Sequence, residues 1–239
     1  MIRTTLPLLA GAALMLGGCH LLGQKHDAGP HASRDYPVTA FTKLAVAGAY
    51  EVEVRTGSGA TVHAEGGQNR LDKMEVKVEG DTLHIEPQKG MHWSWGDHDK
   101  VKLIVTVPAL SAAEIAGSGD INIDHVTGPA FKGSIAGSGD LRLARVDTQS
   151  LELGIAGSGD IKAAGNAANV KYDIAGSGDI DGGDVVAQTA AVSISGSGGV
   201  HAHATGTATI QVIGSGDVIL TGGAKCTISK TGSGDVRCS

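Results

Sequence analysis

Apolar side chains fall on every second position along most of this chain, and they sit in short runs separated by glycine. Tyr50, Val52 and Val54 alternate with Glu51, Glu53 and Arg55, and Met74, Val76 and Val78 alternate with Glu75 and Lys77. Leu83 and Ile85 follow the same rule, as do Val101, Leu103, Val105 and Val107. A period of two is that of a half-buried β-strand. After Pro108 the alternation becomes a repeat. Gly-Ser-Gly-Asp begins at Gly117, Gly137, Gly157, Gly176, Gly214 and Gly232, with Gly-Ser-Gly-Gly at Gly196, at intervals of 20, 20, 19, 20, 18 and 18 residues. With the first Gly of each copy as position zero, position −2 reads Ile115, Ile135, Ile155, Ile174, Ile194, Val212 and Lys230. Position +4 reads Ile121, Leu141, Ile161, Ile180, Val200, Val218 and Val236. Even positions therefore point inward and odd positions outward.

A fixed period of about 20 residues is the mark of a solenoid in which each repeat is one coil stacked on the next. The expected fold is all-β: a parallel β-helix, or β-solenoid, with about 20 residues per coil and coils about 4.8 Å apart. Each coil is read as strand, Gly-Ser-Gly corner, strand and a variable turn such as residues 124–130, which absorbs the changes in repeat length because both flanking strands keep register. Residues 109–239 carry the repeats. Residues 38–108 form irregular first coils of the same domain, with Gly57-Ser58-Gly59 as an early echo of the corner. Residues 87–100 interrupt the alternation and hold Trp93 and Trp95, either contact residues or a lid over the open end of the stack. The chain's 37 glycines and 3% aromatic content imply a thin core of small aliphatics.

Residues 1–19 read MIRTTLPLLAGAALMLGGC: a basic start at Arg3, an apolar stretch, then small residues before a cysteine. Leu16-Gly17-Gly18-Cys19 matches the bacterial lipobox, so residues 1–18 are expected to be a lipoprotein signal peptide and Cys19 the lipidated residue. Residues 19–37 would be a flexible tether, and His20 after the lipidated cysteine suits the outer membrane of a Gram-negative cell. Removing residues 1–18 takes Arg3 away and makes the formal charge one unit more negative than −6. That balance disfavours nucleic acid as a partner.

The repeats place Asp120, Asp140, Asp160, Asp179, Asp217 and Asp235 in one column, where neighbours about 5 Å apart repel by roughly 1 kcal/mol per pair in water. Two offsets are open: hydrogen bonds from each aspartate's own tight turn, or divalent cations such as calcium along the column. Gly199 interrupts that column. His201, His203 and Asp181 all occupy outward positions, where two imidazoles and a carboxylate are a weak candidate metal set. Cys226 and Cys238 stand at −6 and +6 of the last coil, both inward, which in an oxidising compartment suggests a disulfide closing the stack. Free thiols remain the alternative. No Ser-His-acid arrangement accompanies the repeated serines, and Asn122, Arg142, Lys162 and Asp181 make only a short mixed row. No catalytic residue is therefore assigned.

Residues 41–54 (FTKLAVAGAYEVEV), 80–85 (GDTLHI) and 101–121 (VKLIVTVPALSAAEIAGSGDI) together resemble the head GIN domain family of bacterial auto-transporter adhesins, over roughly residues 38–235. The resemblance implies an exported β-helical domain on a bacterial envelope, often lipid-anchored, with no catalytic motif to carry across. The expected function is non-catalytic: an anchored surface that binds a protein or a glycan. A polysaccharide-acting β-helix enzyme and a purely structural envelope component are the alternatives.

Overall fold

A computed structural model describes residues 28–90 and 100–239. The first part of the chain contains β1 (His31–Tyr36), β2 (Lys43–Gly48), β3 (Glu51–Thr56) and β4 (Thr61–Gly67), then the single-turn α1 (Gln68–Leu71). It continues with β5 (Met74–Glu79), β6 (Thr82–Pro87) and β7 (Lys102–Val107). The repeats supply β8 (Ala112–Gly117), β9 (Asp120–Ile123), β10 (Val126–Gly137), β11 (Leu141–Gly157), β12 (Ile161–Gly176) and β13 (Ile180–Gly196). The stack ends with β14 (Gly199–Gly214), β15 (Asp217–Thr221), β16 (Lys225–Gly232) and β17 (Val236–Cys238).

The result is a parallel β-solenoid with about 20 residues per turn. Successive copies pair in register through the corner, so that Ile115, Ile135, Ile155 and Ile174 lie one above another, as do Gly117, Gly137, Gly157 and Gly176. Inward positions −4, −2, +4 and +6 are buried in every repeat coil but the last. Each Ile or Leu taken out of water there contributes about 1.5–3 kcal/mol relative to exposure. Bulk is balanced between neighbouring coils. Gly133 leaves room for Leu141 and Leu153, and Gly182 leaves room for the ring and hydroxyl of Tyr172, where an added Cβ would collide.

Three features differ from the sequence reading. The stretch expected as a variable turn is extended and paired, so that β11, β12 and β13 each run from one corner to the next without a break. Changes in repeat length are taken up there as register shifts, between Leu143 and Val146, Lys162 and Ala164, and Gly182 and Val186. A bulge accommodates an added residue while keeping most backbone groups bonded, which a true turn would not.

The second difference is the order of the coils. β2 and β3 pair in parallel with β8 and β9, Gly48 opposite Gly117. β6 and β7 pair in parallel with the other edges of β2 and β3. From β2 onward the chain thus lays down the second layer, leaves it, returns to lay down the outermost one, and then passes to the repeats on the far side. The early echo of the corner is Gly48-Ala49-Tyr50, where Tyr50 occupies the place of the second Gly and fills the core. Gly57-Ser58-Gly59 is instead the connection between β3 and β4.

The third difference is at the start. Residues 31–36, expected within the tether, form β1 and pair antiparallel with β4, which pairs antiparallel with β7. β5 pairs antiparallel with β6. Alternation of apolar and polar residues is weak in HASRDY, which is why β1 did not stand out; its pairing is carried by the backbone. These strands close the first end of the solenoid and satisfy an edge that would otherwise be open.

Candidate functional site

The corner comes first because every copy repeats it. The first Gly has a positive φ, such as +140° at Gly137, and the second is buried against the corner below. A Cβ on Gly139 would lie inside the van der Waals envelope of the Gly119 carbonyl oxygen, so only glycine lets coils approach this closely. The serine N–H then donates to the first Gly of the preceding coil: Ser138 to Gly117 O at 2.8 Å, Ser158 to Gly137 O at 2.9 Å, and onward to Ser233.

The aspartates do form a column, and their carboxylates bond between coils rather than within their own turn. Asp120 Oδ1 accepts from the Asp140 N–H at 3.2 Å, Asp140 Oδ1 from Asp160 at 3.4 Å, and Asp160 Oδ1 from Asp179 at 3.0 Å. Asp179 Oδ1 accepts from the Gly199 N–H at 2.6 Å, and Asp217 Oδ1 from Asp235 at 2.7 Å. This corrects the intraturn offset: with corners stacked in register, the N–H within reach of each carboxylate belongs to the next coil. Charge at the first end is met by Lys100, whose Nζ donates to Asp120 Oδ2 at 2.6 Å. Gly199 fits the same logic, since a Cβ there would lie 3.0 Å from Asp179 Oδ1. Lacking a carboxylate below it, the Asp217 N–H donates to the Gly198 carbonyl at 3.2 Å.

The candidate metal set does not assemble. Asp181 lies opposite His201, but the register shift after Gly182 places His203 opposite Val186. Asp181 Oδ2 accepts from Lys162 Nζ at 2.9 Å, which holds its carboxyl below the usual range, and His203 Nδ1 lies 3.0 Å from Thr221 Oγ1. Among the described residues no group of three or more His, Cys, Asp or Glu side chains is placed to hold a metal. Cys226 and Cys238 are joined in a disulfide. Cys19, Trp93, Trp95 and the signal-peptide stretch lie outside the described residues.

A surface not singled out in advance is a shallow groove of about 490 Å³ crossing four coils, next to the +5 column. Its lining includes Glu53, Asn122, Arg142 and Lys162, with Asp124, Ala144 and Ala164 beside them. The row noted from the sequence, Asn122, Arg142 and Lys162, is one wall of it; the alanines at +7, Ala144 and Ala164, are the signal that could have revealed the other, where Asp124 holds the same position in the coil of Asn122. Its charges are mostly met at the surface: Glu53 pairs with Arg55 at 2.9 Å and Lys162 with Asp181, while Arg142 is only 3.5 Å from Asp140. The arrangement offers polar and charged side chains at the solenoid's spacing along an open trough.

"Putative auto-transporter adhesin, head GIN domain" matches residues 40–224. The chain belongs to this family. Among solved structures the chain is similar to a "putative adhesin" from Bacteroides fragilis, with TM-score 0.79 and 23% identity, covering 88% of this chain and 97% of that one. It is also similar to a "putative lipid binding protein" from Parabacteroides distasonis, with TM-score 0.73 and 22% identity over 88% and 97% of the two chains. A further "putative adhesin", from Parabacteroides merdae, has TM-score 0.65 and 19% identity over 87% and 95%. These likenesses establish a shared fold. No functionally curated protein matches. Among the described residues no helix is long and apolar enough to cross a membrane.

Proposed function

We propose that this head GIN domain protein is a non-catalytic binding protein of the bacterial envelope, lipidated at Cys19 and held at the outer membrane, whose solenoid presents an extended surface to a polymeric ligand. The observation that carries the reading is the open groove across four coils. It sets Glu53, Asn122, Arg142 and Lys162 in a row at a regular step of about 4.8 Å beside a mainly apolar floor, which suits a linear chain making many weak contacts better than a small molecule enclosed on all sides. A linear glycan with its own regular spacing is the ligand class that best fits such a row; a protein loop is the other. The family's adhesin description supports attachment rather than turnover.

Two measurements test this. Metabolic labelling with a fatty acid should mark the wild-type protein and not Cys19→Ala, and loss of the mark with unchanged membrane association would overturn the anchor. For the surface, the intact protein on cells is assayed for retention of envelope polysaccharides. Arg142→Glu and Lys162→Glu together should reduce retention at least fivefold, with no change in solenoid melting. Chain cleavage of those polysaccharides by wild-type protein would replace the binding reading with the enzymatic one.

A further inference from the structure

The two ends of the solenoid are finished differently. At the first end β4, β5 and β1 add antiparallel strands over the outermost layer. At the other, β16 and β17 pair only with β14 and β15, leaving their second edges without a strand among the described residues. A long unpaired edge is a template for strand addition, and Ile228 at inward position −4 is 47% exposed on it.

Two features depart from the repeat there: a lysine at position −2 and a pair of bonded cysteines. Position −2 is Ile or Val in the preceding six copies and Lys230 in the last. Its Nζ donates to the Gly234 carbonyl at 2.6 Å, across the last corner, and sets a cation where the preceding coils carry an aliphatic side chain. Cys226 and Cys238, on opposite arms of the last coil, are bonded to one another and tie β16 to β17 over the final slice of core. An inward-facing charge is a recognised way to blunt a sheet edge.

We propose that Lys230 and the Cys226–Cys238 disulfide together are a terminator, which keeps the last coil from adding the matching coil of a second copy. Because the first end is covered, only two last coils can meet. Such a contact is two-fold symmetric and closes at a dimer. With the two-fold axis at this corner Lys230 meets Lys230, and the repulsion keeps the protein as one copy.

The full-length protein in detergent is examined by sedimentation velocity, with melting measured in parallel. Wild type and Lys230→Arg should sediment as single copies. Lys230→Ile, which restores the repeat, should give at least tenfold more dimer at the same concentration and nothing larger. Lys230→Asp should remain single alone and form a mixed dimer with wild type. A well-folded Lys230→Ile that stays single overturns the proposal, as do fibres, which would require the covered end. Should Lys230→Ile fail to fold, the mixture decides: no mixed dimer overturns it.

Discussion

At the level of single residues the central fact is that each corner aspartate serves the coil after it. Asp160 Oδ1 accepts from the Asp179 N–H at 3.0 Å. Asp160→Ala removes that acceptor and leaves the N–H to water, so it should cost about 0.5–1.5 kcal/mol. Asp160→Asn keeps a carbonyl oxygen in place and should cost less than half as much, while also relieving repulsion along the column. Urea denaturation of both variants measures the difference. Equal losses would mean that charge, not the bond between coils, is what the column supplies. If the N–H of the next coil is the offset for each carboxylate, the column needs no calcium. Chelation of calcium should leave the melting temperature of wild type unchanged, which differential scanning calorimetry with and without chelator checks.

Among elements, the paired strands of the repeats were legible in the sequence because their period of two and the aligned glycines say the same thing. The coil formed by β2 and β3 was not, because Gly48-Ala49-Tyr50 lacks the serine and the second glycine; only pairing with β8 and β9, some 70 residues on, reveals it. Nor can local alternation tell that β6 and β7 return to the far side of β2 and β3. The groove was half legible, through the +5 row, and its opposite wall was hidden because alanines at +7 look like any outward position. Register shifts between β12 and β13 and between β13 and β14 fall close to Gly182 and Gly183. Deleting Gly183 should therefore move the melting temperature by no more than about 2–4 °C, the effect of ~1 kcal/mol in a domain of this size. Deleting Ala175, beside the corner, turns Ile174 to the wrong face and should abolish cooperative melting. Antiparallel β1 adds a pH-dependent edge. His63 of β4 lies 2.6 Å from Asp35 of β1 and 3.3 Å from Glu65, and these carboxylates raise its pKa above the ordinary 6.5. The protonated form is favoured in the fold, so this tie is fully present below about pH 6.5 and is lost as pH rises through the higher folded value. Hydrogen exchange of β1 amides, corrected for intrinsic rates, should quicken across that rise in wild type and show no such step in His63→Gln.

For the whole molecule, a stack of like coils is a one-dimensional assembly in which each layer is stabilised by the layers on either side. Among the described residues an interior coil such as β12 has two neighbours, and the last, formed by β16 and β17, has one. Opening should therefore begin at the last coil unless something other than stacking holds it. The first end is held by antiparallel strands around a core that includes Tyr50 and Leu71, and the last by a covalent bond closing a segment of 12 residues. Restriction of a loop of about this length stabilises by roughly 3 kcal/mol on the chain-entropy account. In the double variant Cys226→Ser/Cys238→Ser, amides of residues 225–238 should exchange at least tenfold faster, with a smaller gain in β14 and none in β8 or β10. A uniform gain along the solenoid would mean that the stack melts as one unit and that the disulfide acts on all of it. A graded gain would place the weakest layer at the open end, where, among the described residues, the disulfide and Lys230 lie above the core.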